Sequence, residues 1–287
     1  MMSARSHLLA LLLSALPVAA GAQYPPGRCR ELLRQSPISV PDATSEATGP
    51  DDCRFTHVRI RFTPIIGYAA DSVTEHGIPA TRPSPDQKLD MQLQANGVVL
   101  VLNTGNKMTS LLNRLQQVPY DISADVSVDP DQDRAEIRKL TMDGYSIGHI
   151  ALSATITPIK TEPENAALAS LHLHFDSRSF LGMFAVPFLV PQLPQDDPQA
   201  AYDQIKTRVV AEIRALLPVT GASAQTTDAV ASFAEDFPHP RHVLDLSLES
   251  SPPATIVDVM AAAGDLASLT ALLHRLTVTA TYTGDPH

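Results

Sequence analysis

The chain reads as an α+β protein, a mostly antiparallel β-sheet covered by amphipathic helices and closing in a helical C-terminal segment. Three observations predict this. Apolar and polar residues alternate with period two in several runs between residues 55 and 176. Turn dipeptides separate those runs. Beyond a stretch with four prolines at 187–198, helical spacing takes over.

In chain order, residues 55–62 place Val58, Ile60 and Phe62 on one face and His57, Arg59 and Arg61 on the other. A proline-rich connection covers 76–86. Leu89, Met91, Leu93 and Ala95 then alternate with Lys88, Asp90, Gln92 and Gln94, and Asn96-Gly97 predicts a two-residue hairpin turn. Pairing across it would set Ala95 against Val98, Leu93 against Leu100 and Met91 against Leu102. Val99 and Val101 make the return strand apolar on both sides, which calls for a cover. Met108, Leu111, Leu112, Leu115 and Val118 supply one at helical spacing, stopped by Pro119.

Ile122, Ala124, Val126 and Val128 form the next strand, ending in the turn Asp129-Pro130-Asp131. Residues 134–142 return, Asp143-Gly144 turns, and Ile150, Leu152, Ala154 and Ile156 define another strand. Leu171, Leu173 and Phe175 give the last of the series. Asp197 and Pro198 then cap a helix whose stripe is Tyr202, Ile205, Val209, Ile213 and Leu216. Residues 219–228 read as a linker and 240–248 as one more strand. After Pro252-Pro253 come a helical pair (255–263, 266–275) and a short strand (276–283). The predicted organisation is a signal segment at 1–22, a disulfide-pinned β-rich domain at 23–186, and a mainly helical region at 187–287.

The first 22 residues have the pattern of an export signal. Arg5 precedes a nine-residue run, Leu8 to Leu16, that Pro17 breaks, and Ala20-Gly21-Ala22 fits a cleavage site. The run is too short to span a bilayer, and no later run approaches eighteen apolar residues. The expected product is periplasmic or secreted. It keeps 265 residues with 20 basic and 31 acidic side chains, a net charge of −11, because the signal carries only Arg5. That balance excludes nucleic acid as a partner, since phosphate binding needs a basic stripe.

Cys29 and Cys53 are the only cysteines. In an oxidising compartment two cysteines predict one disulfide. Closing a loop of about 24 residues stabilises by roughly 3–4 kcal/mol in the chain-entropy treatment.

Three patterns carry possible chemistry. Gly144-Tyr145-Ser146-Ile147-Gly148 fits G-x-S-x-G, the nucleophile turn of α/β serine hydrolases. On that reading Ser146 attacks a carbonyl, His242 or His274 is the base, and Asp236 or Asp245 orients it. Against it, residues 149–157 alternate like a strand, and Asp143-Gly144 is an ordinary hairpin turn. The turn reading is therefore the preferred one. His172, His174 and Asp176 form H-x-H-x-D, the one arrangement with metal-ligand spacing. The next histidine of a metallo-β-lactamase motif is missing, since Ser177 stands there. With Leu171, Leu173 and Phe175 buried, the polar three face solvent, so no metal is expected. His57, Arg59 and Arg61 suit an anion or partner contact, or simply a solvated strand face. No phosphate loop, dinucleotide fingerprint or calcium loop is present, so no cofactor is predicted.

Residues 255–273, Thr-Ile-Val-Asp-Val-Met-Ala-Ala-Ala-Gly-Asp-Leu-Ala-Ser-Leu-Thr-Ala-Leu-Leu, resemble the opening of a fasciclin-like domain. There an I-V-D helix leads into a D-(F/L)-x-x-L-x-x-(A/L)-L helix, which here would be capped by Asp265. The F-A-P-T box that follows in that family is missing. The resemblance implies an extracellular adhesion or interaction role.

The sequence thus predicts an exported, non-catalytic protein. It would bind an apolar small molecule or a cell-envelope partner between sheet and helices. The alternative is a secreted esterase or lipase using Ser146.

Overall fold

The computed structural model describes residues 29–30, 43–49, 52–61, 66–77, 87–102, 118–158, 166–185, 193, 196–255, 258 and 266–284. The signal segment, the cover helix expected before Pro119, most of the 76–86 connection and most of the 255–263 helix, with Asp265, lie outside these residues.

Ten strands are described, hydrogen-bonded in chain order in one antiparallel sheet. They are β1 (Thr44–Ala47), β2 (Cys53–Arg61), β3 (Ile66–His76), β4 (Leu89–Leu102), β5 (Tyr120–Asp129), β6 (Arg134–Gly144), β7 (Gly148–Thr157), β8 (Ala167–Asp176), β9 (Val243–Thr255) and β10 (Leu276–Thr283). This corrects the expected fold class. Among the described residues the protein is mostly sheet with few helices, and its C-terminal part adds two strands to that sheet rather than forming a helical segment. The reason lies in the two strands predicted beyond residue 187, which extend the sheet instead of leaving that region to helices. Leu244, Leu246 and Leu248 alternate with Asp245, Ser247 and Glu249, and Val278 and Ala280 alternate with Thr277, Thr279 and Thr281. Period two puts both in the sheet, Ser247 opposite Thr279 and Leu246 opposite Ala280. Pro252 and Pro253 lie within β9, ahead of the helical residue Asp258. The β8–β9 register slips just there, so their missing N–H groups interrupt no regular ladder.

The chain divides after Asp131 into two compact units. In the first, β4 is one strand of fourteen residues, not a hairpin. Gly97 has φ +63°, but it serves a bulge, with the β4–β5 register shifting between Ala95 and Val98. A single inserted residue re-phases the alternation, so Ala95 and Val98, three apart, are both buried. Two strands away, β2 has its own local irregularity, without a shift in its pairing to β3. His57 has φ +56°, and Phe55 and Val58 are both buried around it. Asp71 stands between these two irregularities, and a β-carbon on Gly97 would come within 2.3 Å of its Oδ2. Cys29 and Cys53 are bonded with Cα atoms 5.6 Å apart, and Cys53 is completely buried on β2.

The helices described in the second unit are α1 (Phe180–Phe184), α2 (Pro198–Leu216), α3 (Ala224–Asp236) and α4 (Leu266–Leu273). The predicted cap holds, the Asp197 carboxylate accepting from Ala200 N–H at 3.0 Å. The predicted stripe of α2 is not buried, however, and Ile205 and Val209 are among the exposed large apolar side chains. The linker expected at 219–228 is a short 3₁₀ turn followed by the start of α3, with Ser223 as its cap. The run Ala-Ser-Ala-Gln-Thr-Thr looks like linker composition, yet small side chains are what a helix needs to approach a sheet closely. Thr226, Thr227, Ala229 and Ala231 are all buried. The core unites Ala229 with Ile150, Phe175, Leu244 and Ala280. Phe175 meets Phe180 and Phe233 edge-on, and Phe233 meets Tyr282 likewise. Each such pair adds about 0.5–1.5 kcal/mol beyond its buried area.

Candidate functional site

Because α3 seals one face of the second unit's sheet, the alternate residues of the same strands form the other face. On it His149 of β7 stands opposite Asp143 of β6, and His174 of β8 stands opposite Asp245 of β9. His149 Nδ1–H donates to Asp143 Oδ1 at 2.5 Å, and His174 Nδ1–H donates to Asp245 Oδ1 at 2.6 Å. The two imidazoles are diagonal neighbours across the β7–β8 pair, their centroids 5.7 Å apart and their planes inclined at 53°. The order across four strands is therefore carboxylate, imidazole, imidazole, carboxylate. Beside it lies an open groove of about 330 Å³, lined in part by Arg138, Lys139, Ser153, His172, His174 and Ser247.

Sequence reading found half of this row. His172 and His174 are on the polar face, as the burial of Phe175 requires, but each has its own cross-strand partner. His172 shares a hydrogen bond of 2.8 Å with Ser247 Oγ. Asp176 is buried and stands opposite His149. His149 and Asp143 were missed, although a signal existed. If G-x-S-x-G is a hairpin turn, the residues flanking it on either side must face one another.

The pentapeptide is that turn. Tyr145, Ser146 and Ile147 link β6 to β7, closed by Ile147 N–H donating to the Gly144 carbonyl at 3.1 Å. Ser146 is exposed, Ile147 is fully buried, and Gly148 has φ +77°. A β-carbon there would lie 2.2 Å from the Asp176 carbonyl oxygen. The groups named for a triad are engaged elsewhere. Asp245 holds His174, and His242 Nδ1–H donates to the Gly284 carbonyl at 2.9 Å, while His274 lies in the turn after α4, its backbone N–H bonded to the Thr270 carbonyl. Among the described residues no hydrogen bond joins Ser146 to a histidine.

Asp236 belongs to a second cluster, at the end of α3. It accepts from Arg241 Nε at 2.7 Å and from the Tyr282 hydroxyl at 2.8 Å. Burial pushes the Asp236 carboxyl up, but those hydrogen bonds and the Arg241 charge outweigh it and hold the group below the usual carboxylate range. Burial, with the bond to Asp236, pushes the Tyr282 phenol up. A smaller cavity of about 290 Å³ lies nearby, lined by Arg178, His239, Pro240 and Arg241.

On β2, His57 and Arg59 are exposed on either side of buried Val58; Arg61 ends the strand, its side chain outside the described residues. Thr255 and Asp258, within the fasciclin-like stretch, form a capping box: Thr255 N–H donates to Asp258 Oδ2 and Asp258 N–H to Thr255 Oγ1. Arg275 adds an ion pair to the same carboxylate. Backbone and side-chain bonds from Thr255 hold the Asp258 carboxyl below its usual range.

No helix among the described residues is long and apolar enough to cross a membrane. The sequence matches no family model and no curated protein.

Proposed function

We propose that this is an exported binding protein, without a catalytic centre of its own, which meets a cell-envelope partner through the polar face of β6 to β9. The observation that carries this reading is the asymmetry of that sheet. One face is covered by α3 and edge-on aromatics. The other presents Lys139, His149, His172, His174 and Asp245 around an open groove. A sheet face whose imidazoles and carboxylates are fixed by cross-strand bonds, with cations beside them, suits recognition of a polar surface. The disulfide and the signal-like N-terminus support export.

Photocrosslinking in cells tests it. A photoreactive residue at Ser153, in the groove, should give one discrete adduct, whereas the same residue at Arg208 on α2 should give none. Absence of a Ser153 adduct would overturn the reading. A lipid released from the purified protein would assign an apolar ligand instead. Fluorophosphonate labelling that is lost in Ser146→Ala would make the protein an esterase.

A further inference from the structure

We propose that His149 and His174 form a two-imidazole site for a late first-row divalent metal ion, with Asp143 and Asp245 as the carboxylates that orient its ligands. Two geometric facts point to it. The first is the direction of the rings. Asp143 lies on the far side of His149 from His174, and Asp245 lies on the far side of His174 from His149. Each Nδ1 is thus drawn outward. In an imidazole, Nε2 belongs to the edge opposite Nδ1, so each Nε2 lies on the side of its ring away from its carboxylate. The outward bonds also fix the tautomer. With Nδ1–H given to a carboxylate, the neutral ring presents an Nε2 lone pair, the form that binds metal.

The second is spacing. A metal held at about 2.0–2.1 Å from each Nε2 sets the two ring centroids roughly 5–6 Å apart for tetrahedral or wider angles at the metal. The observed separation is 5.7 Å. At that spacing the pair can close on an ion, with water completing the coordination. Among the described residues no group of three or more His, Cys, Asp or Glu side chains stands together to hold a metal. The site is therefore an open two-ligand one, suited to an exchangeable ion. Imidazole ligands select Zn²⁺, Ni²⁺ or Cu²⁺, of which Cu²⁺ binds most tightly. This assignment differs from the sequence pattern H-x-H-x-D. It replaces His172, which Ser247 engages, by a histidine from the neighbouring strand. It stands whether or not the face also meets a partner.

Titration of the full mature protein with Cu²⁺ decides it, read by calorimetry and by electron paramagnetic resonance. One equivalent should bind with the signature of two equatorial nitrogens, and Zn²⁺ should compete for the same site. His149→Ala and His174→Ala should each weaken binding at least tenfold and leave at most one nitrogen of that pair. Asp143→Asn and Asp245→Asn should weaken it about tenfold, in the range known for carboxylates behind metal-bound histidines, with the melting temperature of the metal-free protein unchanged. His172→Ala should leave the affinity as it was. The proposal fails if no stoichiometric binding is seen, if either single histidine variant binds like the parent, or if His172→Ala abolishes binding. Should a histidine variant be unfolded, selective broadening of the His149 and His174 ring signals by substoichiometric Cu²⁺ in the parent gives the same answer, and its absence refutes the site.

Discussion

The Tyr282 hydroxyl donates to Asp236 Oδ2 at 2.8 Å, joining the last strand to the end of α3. The same oxygen accepts from the backbone N–H groups of Arg241 and His242, at 2.8 and 3.2 Å. One phenol thus satisfies three polar groups, so Tyr282→Phe should cost about 1–3 kcal/mol, measured by urea unfolding. The pH dependence follows from Asp236. Its carboxyl is held below its ordinary value of 3.8, so the contribution is complete above that pH and fades as pH falls through the folded value. Asp236→Asn should therefore be less stable than the parent at pH 7, and the gap should narrow in acid.

Glu75 has the opposite sign. It is half-buried on β3, opposite half-buried Leu93 and fully buried Cys53, and burial raises its pKa above the ordinary 4.5. A raised carboxyl favours folding below its unfolded value, and that gain is lost as pH rises through the folded one. At neutral pH the charge is a burden. Glu75→Gln should unfold at higher urea concentration than the parent at pH 7, and the two should converge below about pH 4.

Two glycines at positive φ should differ in what replacement costs. At Gly148 a β-carbon meets the Asp176 backbone oxygen, while at Gly97 it meets the side chain of Asp71. A side chain can move aside and a paired strand cannot. Gly148→Ala should therefore be the more destabilising in thermal melts, and Gly97→Ala should lose roughly 1–3 kcal/mol from strain. Adding Asp71→Ala should recover part of the Gly97→Ala loss and none of the Gly148→Ala loss.

Within the G-x-S-x-G turn, Ile147 is fully buried and Tyr145 is fully exposed. Ile147→Ala should cost about 2–5 kcal/mol, whereas Tyr145→Ala and Ser146→Ala should stay within about 0.5 kcal/mol of the parent in the same unfolding assay. A nucleophile elbow would give the reverse ranking for function, with Ser146 indispensable.

How far the structure was legible depended on whether a pattern had one physical meaning. Strict alternation with β-branched residues, as in 150–156, allowed only a strand, and β7 is there. The Asn96-Gly97 pair was ambiguous because a glycine at positive φ serves a tight turn and a bulge equally well. The deciding clue was the phase of alternation, which changes by one between Ala95 and Val98. A hairpin would also invert the chain, but a bulge re-phases it and lets β4 run on. Helix α3 escaped because Ala, Ser and Thr carry little hydrophobic signal, and its stability comes from close packing that no local count reveals. The histidine row was half visible. H-x-H-x-D located His174, but its neighbour His149 is 25 positions earlier, and only strand pairing brings them together.

The chain-order arrangement of the strands has a consequence for how the molecule is made. Each strand's partner is synthesised immediately before or after it, so no segment must wait for a remote one. Loop-closure entropy stays small at every step, apart from the excursion through α1, α2 and α3 between β8 and β9. A polypeptide emerging amino-end first can therefore zip up one ribbon at a time. Its exposed border passes to each newly arrived strand in turn and comes to rest on the threonine-rich β10.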